Sequence, residues 1–241
     1  MKKITSTALL AIRLTWVPAL FFTLAGAAAE AISVYRWLMP GGVPLQATFG
    51  FEALLSSAAE PYGKLFAVIL LVFLALRAGA SKGSKTIYTM NRLGLSEEQT
   101  TMVFGGVFSL YFLLYWAIQL GLCYGFFVWY TRFGLVSSNA WMLACWRSEW
   151  LHLLLPLGEW WNYLRNLLVC LSFGFTAAFG SRQMRRGTFP LGVLILPLLC
   201  TFLLTGRVGE TAPSIGDMIL LPVNTIGYWI ALKGGTEDED L

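Results

Sequence analysis

The sequence predicts an all-α membrane protein of six transmembrane helices, with both termini cytoplasmic and an amphipathic helix between the second and third spans. Three observations predict it. The chain of 241 residues is 57% hydrophobic and only 12% charged, with a mean hydropathy of +0.66, too little charge to clothe a soluble domain of that size. Its apolar runs approach the ~20 residues that a helix needs to cross ~30 Å of hydrocarbon. Runs such as Leu65–Leu76 lack the period-two alternation of a membrane β-barrel. In lipid each span must pair its own backbone groups, which selects helices.

The spans read as Leu14–Leu38, Lys64–Ala80, Met102–Tyr130, Gly158–Gly180, Thr188–Thr205 and Ile215–Leu232. Residues 1–13, with Lys2 and Lys3, resemble a signal leader, but Arg13 and Pro18 interrupt the apolar run and it continues to Trp37. They are expected to form an uncleaved surface helix ahead of the first span. With six spans, eleven Lys and Arg fall on the side of the termini and six on the other, which places both ends in the cytoplasm. Trp37, Trp129, Trp141, Trp146, Trp150, Trp160 and Trp161 fall near the outer interface, where an amphipathic ring is comfortable.

The two longest outer segments are Met39–Gly63, with a short interfacial helix expected around Phe49–Leu55, and Thr131–Leu157, where Trp141–Leu155 has the spacing of a surface or re-entrant helix. The acidic tail Glu237–Asp240 reads as a solvated end, within a cytoplasmic tail at 233–241. The chain reads as a single membrane domain with no internal repeat. The net charge of +4 is scattered over loops; it suits anionic lipid headgroups and does not imply nucleic acid. Cys123, Cys170 and Cys200 lie within spans as small apolar residues, and Cys145 sits in the outer loop.

The cytoplasmic segment 81–101 is the most informative. Ser84 suits an N-cap, Ile87, Met90 and Leu93 line one helical face, Lys85, Thr89 and Arg92 another, and Gly94 suits a helix stop. Ser96 and Gln99 then match the S-x-x-Q capping box of a new helix, with Glu97 and Glu98 in its first turn. A plain turn needs fewer residues. The segment therefore reads either as a connecting helix lying on lipid or as a handle for a soluble partner.

Within the spans, Glu30, Glu159, Arg165 and Asp217 carry charge where burial is costly. They read either as a polar lining of a substrate path or as interhelical ion pairs, with Arg165 reaching Glu30 or Asp217. Pro190, Pro197 and Pro222 would permit kinks, or are simply tolerated. His152, the single histidine, follows Glu149 by three residues; two ligands make no catalytic metal centre, so a surface or interfacial role is expected. No phosphate-binding G-x-x-x-x-G-K-[ST] loop occurs. Glu97-Glu98 begins a membrane-protease pattern, but Met102 stands where that pattern requires Arg.

The stretch Ser84–Ser96, followed by a long aromatic-rich span, resembles the coupling region of ABC exporter permeases of the second exporter class, whose coupling helix ends as Leu93-Gly94-Leu95-Ser96 does here. The acidic pair Glu97-Glu98 departs from the basic residues common there. The resemblance implies a permease with no nucleotide site and no enzymatic activity of its own. ATP and Mg²⁺ would be held by separate cytoplasmic ABC ATPase subunits, which would press on Lys85, Ile87, Tyr88, Met90, Asn91, Arg92 and Leu93. It further implies a second permease subunit, the same chain or a different one, and a path lined or gated by Glu30, Arg165, Pro190, Pro197, Asp217 and Pro222, in a bacterial-type plasma membrane. A non-transporting scaffold or sensor docking a partner through 84–93 is the alternative.

Overall fold

The structure is a computed structural model that describes residues 2–39, 50–79, 95–132, 140–158 and 160–185, with residues 187, 195, 226–227 and 230. Among these, every regular element is helical and no strand occurs. The helices are α1 (Lys2–Leu38), α2 (Phe51–Leu54), α3 (Glu60–Gly79), α4 (Glu97–Thr131), α5 (Ala140–Arg147), α6 (Glu149–Leu154) and α7 (Trp160–Arg185), and a π turn over Leu55–Ala59 joins α2 to α3. Four stretches, Lys3–Leu38, Phe51–Gly79, Glu97–Thr131 and Trp160–Arg185, are long and apolar enough to cross a membrane. They coincide with the first four expected spans. The last two expected spans and segment 80–94 lie outside the described residues.

Each boundary that moved has a physical reason. The expected surface helix at 1–13 is helical from Lys2 but continuous with the first span, running through Arg13 and Pro18 without a break. Its 36 apolar-span residues would be about 54 Å long at ~1.5 Å per residue, so the rod tilts or reaches well past the hydrocarbon. The second span begins at Phe51, not Lys64, so the expected outer segment Met39–Gly63 is in large part helix. Glu60 N–H reaches back to Leu55 O, and this widened turn stands immediately before Pro61, whose ring would crowd an ordinary helical turn. The expected helix at Trp141–Leu155 forms as two pieces, broken where Ser148 caps α6 by accepting from Leu151 N–H at 3.2 Å.

The buried face of α1 repeats a small residue every fourth position: Thr7, Ala11, Thr15, Ala19 and Thr23. Thr7, Thr15 and Thr23 return their hydroxyl protons to the carbonyls of Lys3, Ala11 and Ala19 at 3.0, 2.7 and 2.8 Å. These three hydroxyls are satisfied within their own helix, and small side chains let helices approach closely. The opposite face presents Leu9, Ile12, Trp16, Val17, Leu20, Phe21 and Leu24 outward, as a lipid-facing surface does.

The closest helix crossing joins α4 to α7. Ser109 Oγ donates to Gly105 O at 2.8 Å and meets Leu171 O across the interface at 3.3 Å. Phe112 and Phe173 meet edge to face at 5.3 Å. Gly174 lies against the Ser109 backbone, where a Cβ would come within 2.6 Å of Ser109 Cα. Two apolar clusters result. One gathers Ala11, Leu70, Leu71, Leu74, Phe104, Phe108 and Ala177. The other gathers Val34, Phe51, Leu54, Leu55, Phe126, Leu151 and Leu154 near the aromatic end of the bundle, where Tyr35 stacks on Trp129 at 5.9 Å.

Cys123 and Cys170 are buried free thiols, as expected, and Cys145 is buried on α5 and not exposed in a loop. Burial pushes the Cys145 thiol up to about 11, so the reactive thiolate is scarce at neutral pH. In a variant keeping Cys145 as its single cysteine, maleimide labelling should be slow at pH 7 and rise roughly tenfold per pH unit towards that value; mass spectrometry of the labelled fraction checks it. Gly174→Ala should lower stability by about 1–3 kcal/mol through overpacking. Gly121→Ala, with no atom within 4 Å of the new methyl, should be neutral or mildly stabilising; thermal melting in detergent compares the two.

Candidate functional site

Between the two apolar clusters lies a polar one. Glu30, on the buried face of α1, is 0% exposed, and Gln119 of α4 is 1% exposed. Gln119 Nε2 donates to Glu30 Oε1 at 2.7 Å. The amide also faces the hydroxyl of Tyr115 one turn away on α4, and that hydroxyl donates to Gly63 O of α3 at 2.7 Å. Two hydrogen bonds thus tie α4 to α1 and to α3, at a depth where water cannot replace them. Among the described residues, Glu30 Oε2 and Gln119 Oε1 have no hydrogen-bond partner.

A cavity of about 90 Å³ opens on this cluster. Gly63, Lys64, Tyr115, Gln119 and Trp150 form its polar side, and Phe112, Trp116, Val169 and Phe173 its apolar walls. Gly63 is required there: a Cβ would meet Trp150 Cζ2 at 2.6 Å and Gln119 Oε1 at 3.3 Å. Lys64 is ion-paired to Glu60 one helical turn back and lies 5.9 Å over the Trp150 ring. Helix α6 lines the cavity with Trp150, Leu153 and Leu154. Two carbonyls at its end accept from the bundle: Trp116 Nε1 donates to Leu154 O at 3.1 Å and Asn166 Nδ2 to Leu153 O at 2.6 Å.

The expected partnership of Glu30 with Arg165 does not form. Arg165 is buried on α7 beside Asn162 and Asn166, and the partner that Glu30 has is a neutral amide. His152 is likewise not a surface residue. It is buried, and its Nδ1 lies 3.2 Å from Cys145 O, stitching α6 to α5. Among the described residues no group of His, Cys, Asp and Glu is arranged to hold a metal ion.

A second constellation closes the opposite end of the bundle. The capping box forms as the sequence predicts: Gln99 N–H donates to Ser96 Oγ at 3.2 Å and Ser96 N–H to Gln99 Oε1 at 3.4 Å. Glu97, at the head of α4, faces Arg182 Nε at 3.3 Å and Arg185 Nε at 4.0 Å. Arg185 Nη1 also donates to Ala78 O, at the end of α3, at 3.3 Å. The tail of α7 therefore holds both helix ends from which segment 80–96 hangs. Arg182 is 1% exposed, and a buried guanidinium requires such an anion. The acidic residue that departs from the permease pattern is thus a structural partner of α7.

Lys85, Ile87, Tyr88, Met90, Asn91, Arg92 and Leu93, and also Pro190, Pro197, Asp217 and Pro222, lie outside the described residues. Gln119, Tyr115 and Gly63 were missed because, within the spans, charge and proline singled residues out, and a neutral amide, a hydroxyl and a backbone carbonyl carry neither. The spacing of Tyr115 and Gln119, four apart with Glu30 at the matching depth of another span, is the signal that was present.

Glu30→Ala should destabilise the protein by about 2–4 kcal/mol, since it opens a void and strands the Gln119 amide. Glu30→Gln, which keeps shape and one hydrogen bond, should cost under about 1.5 kcal/mol. Thermal unfolding in detergent distinguishes them. No family model matches the chain, and no curated protein and no solved structure matches it.

Proposed function

We propose that this chain is the transmembrane subunit of an ATP-driven exporter of the second ABC exporter class, with six spans and both termini cytoplasmic, in a bacterial-type plasma membrane. It moves a hydrophobic or amphipathic substrate by alternating access, beside a second permease subunit. Separate cytoplasmic ATPase subunits hold ATP and Mg²⁺ and press on the helix at 84–93. The sequence of that segment supports the reading. So does the way it is mounted: α3 and α4, the helices it connects, are tied at that end to α7 by Arg182 and Arg185.

The clasp is the observation that carries the proposal. A push on a loose loop is absorbed by the loop. A push on a segment whose two anchors share a third helix moves three spans together, and rigid-body rocking of packed helices is how such transporters alternate. The polar cluster sits along the same α3 and α4, so movement at one end reaches the cavity through rigid rods.

The test is ATPase stimulation by the permease in reconstituted membranes. Ile87→Asp with Met90→Asp should abolish stimulation and ATPase co-purification while the protein stays folded and membrane-inserted. Unchanged stimulation would overturn the docking assignment. Retained association without ATP-dependent movement of any compound into sealed vesicles would identify a docking scaffold instead.

A further inference from the structure

The buried carboxylate and the cavity beside it point to a specific ligand chemistry. Glu30 is fully buried and its one hydrogen-bonding partner, Gln119, is neutral. Two acceptors, Glu30 Oε2 and Gln119 Oε1, remain open and belong to the two groups already joined. An anion held in this way at hydrocarbon depth calls for a cation or a hydrogen-bond donor. The ammonium in the cavity wall, Lys64, is paired with Glu60 and does not meet Glu30.

Gln119 lies in the cavity wall and Glu30 directly behind it. Apart from Lys64 and Asn166 the remaining walls are apolar, with Trp116, Trp150 and Tyr115 among them, and aromatic faces attract cations. A cavity of about 90 Å³ admits one ring or a short alkyl chain. Gly63 lets Trp150 and Gln119 pack directly against the α3 backbone at the cavity wall.

We propose that this cavity binds a small amphipathic organic ammonium. Its nitrogen donates to Gln119 Oε1, its charge is balanced by Glu30, and its apolar body lies against Phe112, Trp116 and Phe173. Substrate recognition by this site would rest on the exporter reading above. Binding itself involves no ATPase, so amine binding retained in the Ile87→Asp/Met90→Asp protein would separate a failure of coupling from a failure of the site.

The experiment is equilibrium dialysis of the purified full-length chain in detergent against labelled 2-phenylethylammonium, with 2-phenylethanol as its neutral counterpart. The ammonium should bind saturably at one site and the alcohol roughly tenfold more weakly, which corresponds to the loss of one charge interaction of ~1.4 kcal/mol. Glu30→Gln should weaken the ammonium by a similar factor and leave the alcohol unchanged. Equal binding of the two probes to the wild-type protein, a comparison that needs no variant, would overturn the proposal. So would ammonium binding that Glu30→Gln leaves intact in a protein of unchanged melting temperature. Absence of saturable binding, with an infrared carboxylic-acid band that Glu30→Gln removes, would show that a proton alone occupies the pair.

Discussion

A polar atom at hydrocarbon depth has no water to turn to, and every notable feature of this bundle answers that constraint. Threonines on α1 fold their hydroxyls back onto their own helix. The carbonyls at the end of α6 are taken up by side chains of α4 and α7. The guanidinium of Arg182, buried under the head of α4, meets Glu97 there. Each of these contacts spends a polar group on joining elements that apolar packing alone would leave free to slide, since lipid tails solvate leucine as well as another helix does.

The Glu30–Gln119 pair is the exception that gives the bundle a chemical character. Here a carboxylate meets an amide, and two oxygens of the pair are left over among the described residues. One turn away on α4, Tyr115 is held by the Gly63 backbone. Imperfect satisfaction held inside a packed framework is the usual mark of a site that expects a visitor.

Much of the membrane architecture was legible in the sequence, because a run of about 20 apolar residues leaves few physical alternatives. The capping box at Ser96 and Gln99 was legible for a similar reason: local geometry alone decides it. What failed depended on rotation about helix axes. Arg165 and Glu30 were natural partners by charge, yet Arg165 is buried on α7 and Glu30 meets Gln119 of α4 instead. His152 was expected at the surface because it neighbours Glu149, yet its own face of α6 is the buried one. Residues 51–63 read as part of an outer segment with a short interfacial helix, because Glu52 and Glu60 interrupt the apolar pattern. Ser57 Oγ instead caps Ala53 O at 2.5 Å and Glu60 pairs with Lys64, and the polarity is absorbed within the helix.

The widened turn at Leu55–Ala59 gives the second span an adjustable phase. One residue more than an α-helix would use is stored there, and each helical residue represents about 100° of rotation. Shortening the stretch by a single amino acid would leave the rod nearly as long but swing Phe51 and Leu54 out of the core they fill. The wide turn thus acts as a hinge pin in angle and not in length, and it sets which way the extracore tip of the span faces independently of how the cavity-lining half is seated.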